Sequence, residues 1–161
     1  MKRLLVGALV LTALVGLATP NAHAVGIYGI WWMPDDVDDD AYGIGIKDKK
    51  QFTSLVSMDM RVSYVFNSDA DIIPIEATGL VKLGMLYGGV GVGYYIFTGD
   101  NNLNSAIGWY FLAGIEISPG PVSFFGEVKW QALDPEVDGA GSVNLDALVI
   151  HAGVNLNRSN Y

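Results

Sequence analysis

Three stretches of the chain carry residue types that could do chemistry. The run from Asp35 to Asp40 spaces the carboxylates of Asp36, Asp38 and Asp40 two residues apart, as a calcium loop does. Such a loop needs glycine at its sixth position for the turn and glutamate at its twelfth as a bidentate ligand. This chain has Ala41 and Lys47 there, so the run reads as a solvated acidic loop and no metal is expected. His151 is the only histidine beyond the first 24 residues. A catalytic histidine requires a nucleophile and an orienting acid within hydrogen-bond reach; the expectation here is a satisfied interior side chain and no catalytic residue. Gly88-Gly89-Val90-Gly91-Val92-Gly93 has the glycine density of a phosphate cradle, but a cradle must open a helix. Tyr94-Tyr95-Ile96-Phe97 follows instead and continues a strand. No cofactor is expected.

The elements that must position these residues are extended. In 52–66, the register Phe52, Val56, Met58, Met60, Val62, Tyr64 and Phe66 is apolar, while Ser57, Asp59, Arg61 and Ser63 alternate with it. A period of two gives a strand with two unlike faces. Eight such segments are read, at 25–33, 41–48, 52–66, 74–87, 89–97, 106–117, 121–133 and 143–156, rich in β-branched and aromatic residues. No segment sustains a helical period. The connections alternate between long polar loops and short turns, which in an up-and-down sheet puts the long loops at one end. Asp35, Asp36, Asp38, Asp39, Asp40, Asp69, Asp71, Asp100, Asp134, Glu136 and Asp138 fall in the long loops, and no Lys or Arg does. Lys49, Lys50 and Arg158 fall at the other end, with Lys47 and Asp48 beside the short turn.

Residues 1–24 have the organisation of a secretory signal peptide. Lys2 and Arg3 precede an apolar stretch, and Asn21-Ala22-His23-Ala24 ends it with small residues at the cleavage spacing. The expected domain is 25–161. The net charge of −8 becomes −10 once the two cations of the leader are removed, which argues against nucleic acid as a partner. Cysteine is absent, so disulfides cannot stabilise an exported domain. Charged residues are only 16% of the chain, below the usual quarter of a soluble domain.

Periodicity alone does not say whether the oily face looks into a core or into lipid; the content of the other face does. It is mostly small, as at Gly43, Gly45, Gly89, Gly91 and Gly93, which suits the inside of a narrow closed cylinder. Its charges come as near-balanced opposites: Asp59 with Arg61, Glu76 with Lys82, Glu127 with Lys129, and Glu116. A confined interior demands that balance, because an unpaired buried ion costs several kcal/mol. With His151, these form an expected lumenal charge network. Trp32, Tyr64, Phe66, Trp109 and Trp130 toward the long-loop end, and Phe52, Tyr87 and Phe124 toward the short-turn end, form the expected aromatic girdles of a membrane barrel. The first segment is ambiguous, since both its faces are apolar or glycine.

The signal peptide, eight alternating strands, short turns and long polar loops resemble the small eight-stranded outer-membrane barrels, such as the transmembrane domain of OmpA and the OmpX- and OmpW-type proteins. The resemblance covers residues 25–156. It implies an all-β, antiparallel up-and-down transmembrane barrel in the outer membrane of a Gram-negative-type bacterium, with both termini periplasmic and the acidic loops outside. The implied partners are outer-membrane lipid, lipopolysaccharide and the barrel-assembly machinery. Two departures stand out. The tail NLNRSNY breaks the alternation after Leu156, although Tyr161 supplies the terminal aromatic, and the serine that lipid A deacylases place two residues after histidine is Gly153 here. The expected function is non-enzymatic, a structural, adhesive or interaction role through the acidic loops. The alternatives are a soluble lipocalin-like barrel around an apolar ligand, and a narrow pore for a small solute.

Overall fold

The computed structural model describes residues 23–35, 40–67, 71–98, 104–137, 141–142 and 144–157. The leader through residue 22, Asp36 to Asp39, Asp69, Asp100, Asp138, Arg158 and Tyr161 lie outside the described residues. The strands are β1 (His23–Pro34), β2 (Ala41–Gln51), β3 (Val56–Phe66), β4 (Asp71–Leu83), β5 (Leu86–Thr98), β6 (Ala106–Ile117) and β7 (Val122–Ala132). A two-residue ribbon of β8 (Glu136–Val137) and β9 (Gly141–Ser142) follows, then β10 (Ala147–Asn157). Strands of 11 to 13 residues are long enough to cross a bilayer when tilted.

Eight of these strands close into one antiparallel barrel in the order β1-β10-β7-β6-β5-β4-β3-β2. The seam runs from Ala24 opposite Asn157 to Pro34 opposite Ala147, so no edge of the sheet is left to face hydrocarbon unpaired. The β3–β4 ladder is interrupted between Val62–Ile75 and Val65–Ile72, beside Pro74, which has no N–H to give to a ladder.

Two turns differ from the sequence reading. Residues 52–55 are not strand. The Phe52 and Thr53 amides donate to the Val56 carbonyl, and Thr53 Oγ1 accepts from the amides of Leu55 and Val56, a local side-chain bond that competes with the ladder. The β4–β5 connection is the pair Gly84-Met85, with Leu83 facing Leu86, rather than Gly88. Gly84 sits at φ +65°, which a tight two-residue hairpin requires and glycine supplies without steric penalty.

The apolar register faces outward. Ile107 is 77% exposed and Val90 71%, while Asp59, Gln131 and Asn155 inside are fully buried. This inverts the arrangement expected of a soluble lipocalin-like barrel. Inside, the long-loop end is closed by an apolar plug of Ile30, Trp32, Val65, Ile72, Tyr95, Leu133 and Val149.

Candidate functional site: a filled, ion-paired lumen

The inward glycines have a specific use. A Cβ on Gly91 would collide with the Tyr110 ring, one on Gly93 would meet the Tyr95 ring at 2.8 Å, and one on Gly114 the Tyr87 hydroxyl at 2.7 Å. Gly45 is covered by Tyr28 in the same way, 2.6 Å from its hydroxyl. Four lumenal tyrosines therefore lie against four glycines of the wall, and each turns its hydroxyl into the polar interior. Tyr28 meets Ser63 Oγ at 2.7 Å and Tyr110 meets Thr78 Oγ1 at 2.6 Å. Tyr95 donates to Glu76 at 2.8 Å, and Tyr87 donates to Glu127 at 2.7 Å. Replacing Gly91 by valine is expected to displace the Tyr110 ring and destabilise the barrel by about 1–3 kcal/mol, the usual range for overpacking. The folded fraction, followed through a guanidinium titration in detergent, measures it.

The charges form three tiers along the bore. Nearest the plug, Glu76 accepts from Lys129 at 2.6 Å, and Lys129 lies 4.9 Å from the Tyr110 ring centre. In the middle, the Arg61 guanidinium forks onto Asp59, at 2.7 Å, and onto both oxygens of Glu127. His151 Nδ1 is 2.9 Å from the same Glu127 carboxylate. Lys47 reaches Asp59 at 3.6 Å and caps the Phe125 ring at 3.3 Å. At the short-turn end, Lys49 and Lys82 each donate at 2.8 Å to one oxygen of Glu116. Its other oxygen accepts from Ser123 at 2.8 Å and Asn155 at 3.0 Å. An Arg fork matches carboxylates in a way a lysine cannot, which suits Arg61 to the one position that must bridge two acids.

All eight residues expected in the lumen, Asp59, Arg61, Glu76, Lys82, Glu116, Glu127, Lys129 and His151, point inward, and only Lys82 at the mouth is more than lightly exposed. Two of the expected pairings are not made. Glu76 pairs with Lys129 rather than Lys82, and Glu127 with Arg61 rather than Lys129. Closing the sheet brings opposite walls together, so these two acids find partners across the bore, while Asp59 and Arg61 pair within β3. The interior also takes in Lys47 and Lys49, which the sequence reading left at the short turn. His151 is 2% exposed, with Nδ1 at the Glu127 carboxylate.

Tyr64, Phe66, Trp109, Trp130, Phe52 and Phe124 lie on the outer surface. Trp32 and Tyr87 do not. Trp32 is 3% exposed and belongs to the plug, 6.0 Å from the Tyr95 ring, and Tyr87 binds Glu127 inside. At the long-loop end the outward aromatics include Trp31, which stacks on Tyr42 at 6.4 Å, and Tyr94. Trp109, Trp130 and Phe111 form a contiguous cluster near the same end. Two aspartates of the rim bind the polar tips of these aromatics: Asp40 accepts from the Trp31 indole at 2.9 Å and Asp71 from the Tyr64 hydroxyl.

No family model matches the sequence, and comparison with curated proteins finds no match. Solved structures share the architecture at low identity. Neisserial surface protein A superposes with a TM-score of 0.67 at 12% identity, over 85% of this chain and 96% of that one. A de novo designed transmembrane β-barrel gives 0.52 at 13%, over 87% and 98%. Ail, the attachment invasion locus protein of Yersinia pestis, gives 0.49 at 15%, over 85% and 97%. The first two carry the fold: a closed, antiparallel, eight-stranded barrel of the transmembrane type.

Proposed function

Proceeding from that barrel, we propose that the chain is an integral outer-membrane protein without enzymatic activity, acting through a rigid cylinder and its long acidic loops. The loops would face the cell exterior, in a structural, adhesive or interaction role, and both termini the periplasm. Outer-membrane lipid and lipopolysaccharide surround the barrel in this reading, and the barrel-assembly machinery inserts it. The observation that carries it is the inversion of faces. A continuous apolar exterior with aromatic clusters near the long-loop end surrounds an interior of paired ions, a pattern that suits lipid outside. The acidic bias of the loops, without a single Lys or Arg in them, would favour a cationic partner or bridging by divalent cations.

The alternative of a narrow pore is opposed by the plug and by the Arg61 tier, which fill the bore with the protein's own side chains. The expected result is resistance to carbonate extraction, slower or faster migration of unboiled than boiled protein on a denaturing gel, and no stepwise conductance in planar bilayers. Release by carbonate without heat-dependent mobility would sink the membrane reading. Regular conductance steps would restore the pore.

A further inference from the structure

We propose that the short-turn mouth of the barrel is a binding site for a small polar oxyanion, a carboxylate or phosphate group on a hydrophilic body, with Lys49 and Lys82 as its recognition groups. The charge pattern of the three tiers leads to it. Near the plug one base faces one acid, and in the middle Lys47 and Arg61 face Asp59 and Glu127. In the third tier two ammonium groups meet on one carboxylate, that of Glu116. That carboxylate is saturated, since Ser123 and Asn155 occupy its second oxygen. Each lysine has three N–H donors and directs one of them at Glu116.

These two ammonium groups border a cavity of 480 Å³ open at this end of the bore, within the range of about 300–1,000 Å³ typical of small-molecule sites. Glu116 lines the same cavity, but its side chain is only 4% exposed against 29% for Lys82 and 13% for Lys49, so the lysines are the more accessible groups. Gln51, Ser54, Ser118 and Asn157 line the same space and offer hydroxyl and amide partners to the body of the ligand. Ala24, Leu55 and Val56 supply apolar wall between these polar groups, so the lining is mixed and the two lysines carry its charge recognition. Lysine is a compact point charge without the planar fork of arginine, so one charged oxygen group is read, without fixed bidentate geometry. The site is defined by the geometry of the mouth and holds whichever compartment that mouth faces.

The test uses the full-length folded protein in lauryldimethylamine oxide micelles, whose head group carries no phosphate or carboxylate. Sodium phosphate and sodium acetate are titrated separately at constant ionic strength, with sodium chloride as reference, and NMR reads the amides of residues 51–57 and the lysine Nζ groups. The expected result is a saturable shift confined to that end of the barrel, absent with chloride. The Lys49→Gln/Lys82→Gln double variant should weaken it about tenfold or more, as loss of the charges at a polar contact does. Glu116→Gln should strengthen it several-fold, because the internal anion that competes for both lysines is gone. A purely structural lysine pair would not give that increase. Linear drift indistinguishable from chloride, or saturation untouched by the double variant, overturns the proposal. If Glu116→Gln does not fold, Lys82→Gln alone decides: weakened binding supports the site and unchanged binding overturns it.

Discussion

Replacing Arg61 by alanine is expected to destabilise the barrel by about 3–5 kcal/mol, the range for removing one partner of a buried ion pair. The side chain is fully buried and holds Asp59 and Glu127 together. Its loss leaves three cationic or neutral neighbours, Lys47, His151 and Tyr87, to compensate two buried carboxylates. The control is the double variant Arg61→Ala/Glu127→Gln. That change leaves Lys47 opposite Asp59 and restores a neutral tier, so it should be more stable than Arg61→Ala alone, although it lacks more contacts. Such non-additivity is the mark of a coupled pair. The folded fraction by heat-dependent mobility, measured across a guanidinium series, reads both. A single-variant loss below about 1 kcal/mol, the scale of an exposed ion pair, would mean that the tier is wet and the bore is not closed there.

The adjacent position gives the second large effect from the opposite face. Val62 points outward at the middle of β3, between Ile46 of β2 and Ile75 of β4. Arginine there should cost about 2–4 kcal/mol when the barrel sits in a bilayer, as charged residues do at the membrane midplane. Asp134→Arg, at an exposed loop position, should change stability by no more than about 0.5 kcal/mol. Ser63→Arg fails for a different reason, because Ser63 is bonded to the Tyr28 hydroxyl inside a filled bore. Reversible folding into lipid vesicles separates the cases. Equal tolerance at Val62 and Asp134 would count against hydrocarbon on the outer face.

The alternation in β3, β6, β7 and β10 was enough to read which side chains face inward, because each of those strands sets polar or small residues against large apolar ones. β1 gave no such contrast. Its inward residues at the long-loop end belong to an apolar plug, so Trp31 and Trp32 differ in address and not in chemistry. Parity alone misplaces Tyr87. Carried past Leu83 without interruption, the β4 alternation puts residue 87 outside, but the two-residue turn at Gly84-Met85 resets the count and puts it inside. The ion pairs were legible as a balanced set and illegible as partners, since Glu76 and Lys129 meet only after the cylinder closes. The tyrosine–glycine contacts had a visible signal in the inward glycines of β5, yet spacing along a strand does not say which ring will cover each of them.

The seam between β1 and β10 sets the order in which such a molecule can come into being. Every other neighbouring pair is a hairpin, whose loop-closure penalty grows only slowly with loop length, so a meander can zip up locally from any point. The last join alone clasps the first barrel strand to the last, residues 24–34 to 147–157. Until it snaps shut, both raw borders of the meander offer unpaired amides to any passing strand. A chain shortened by its final dozen residues would thus forfeit the whole cylinder rather than one-eighth of it.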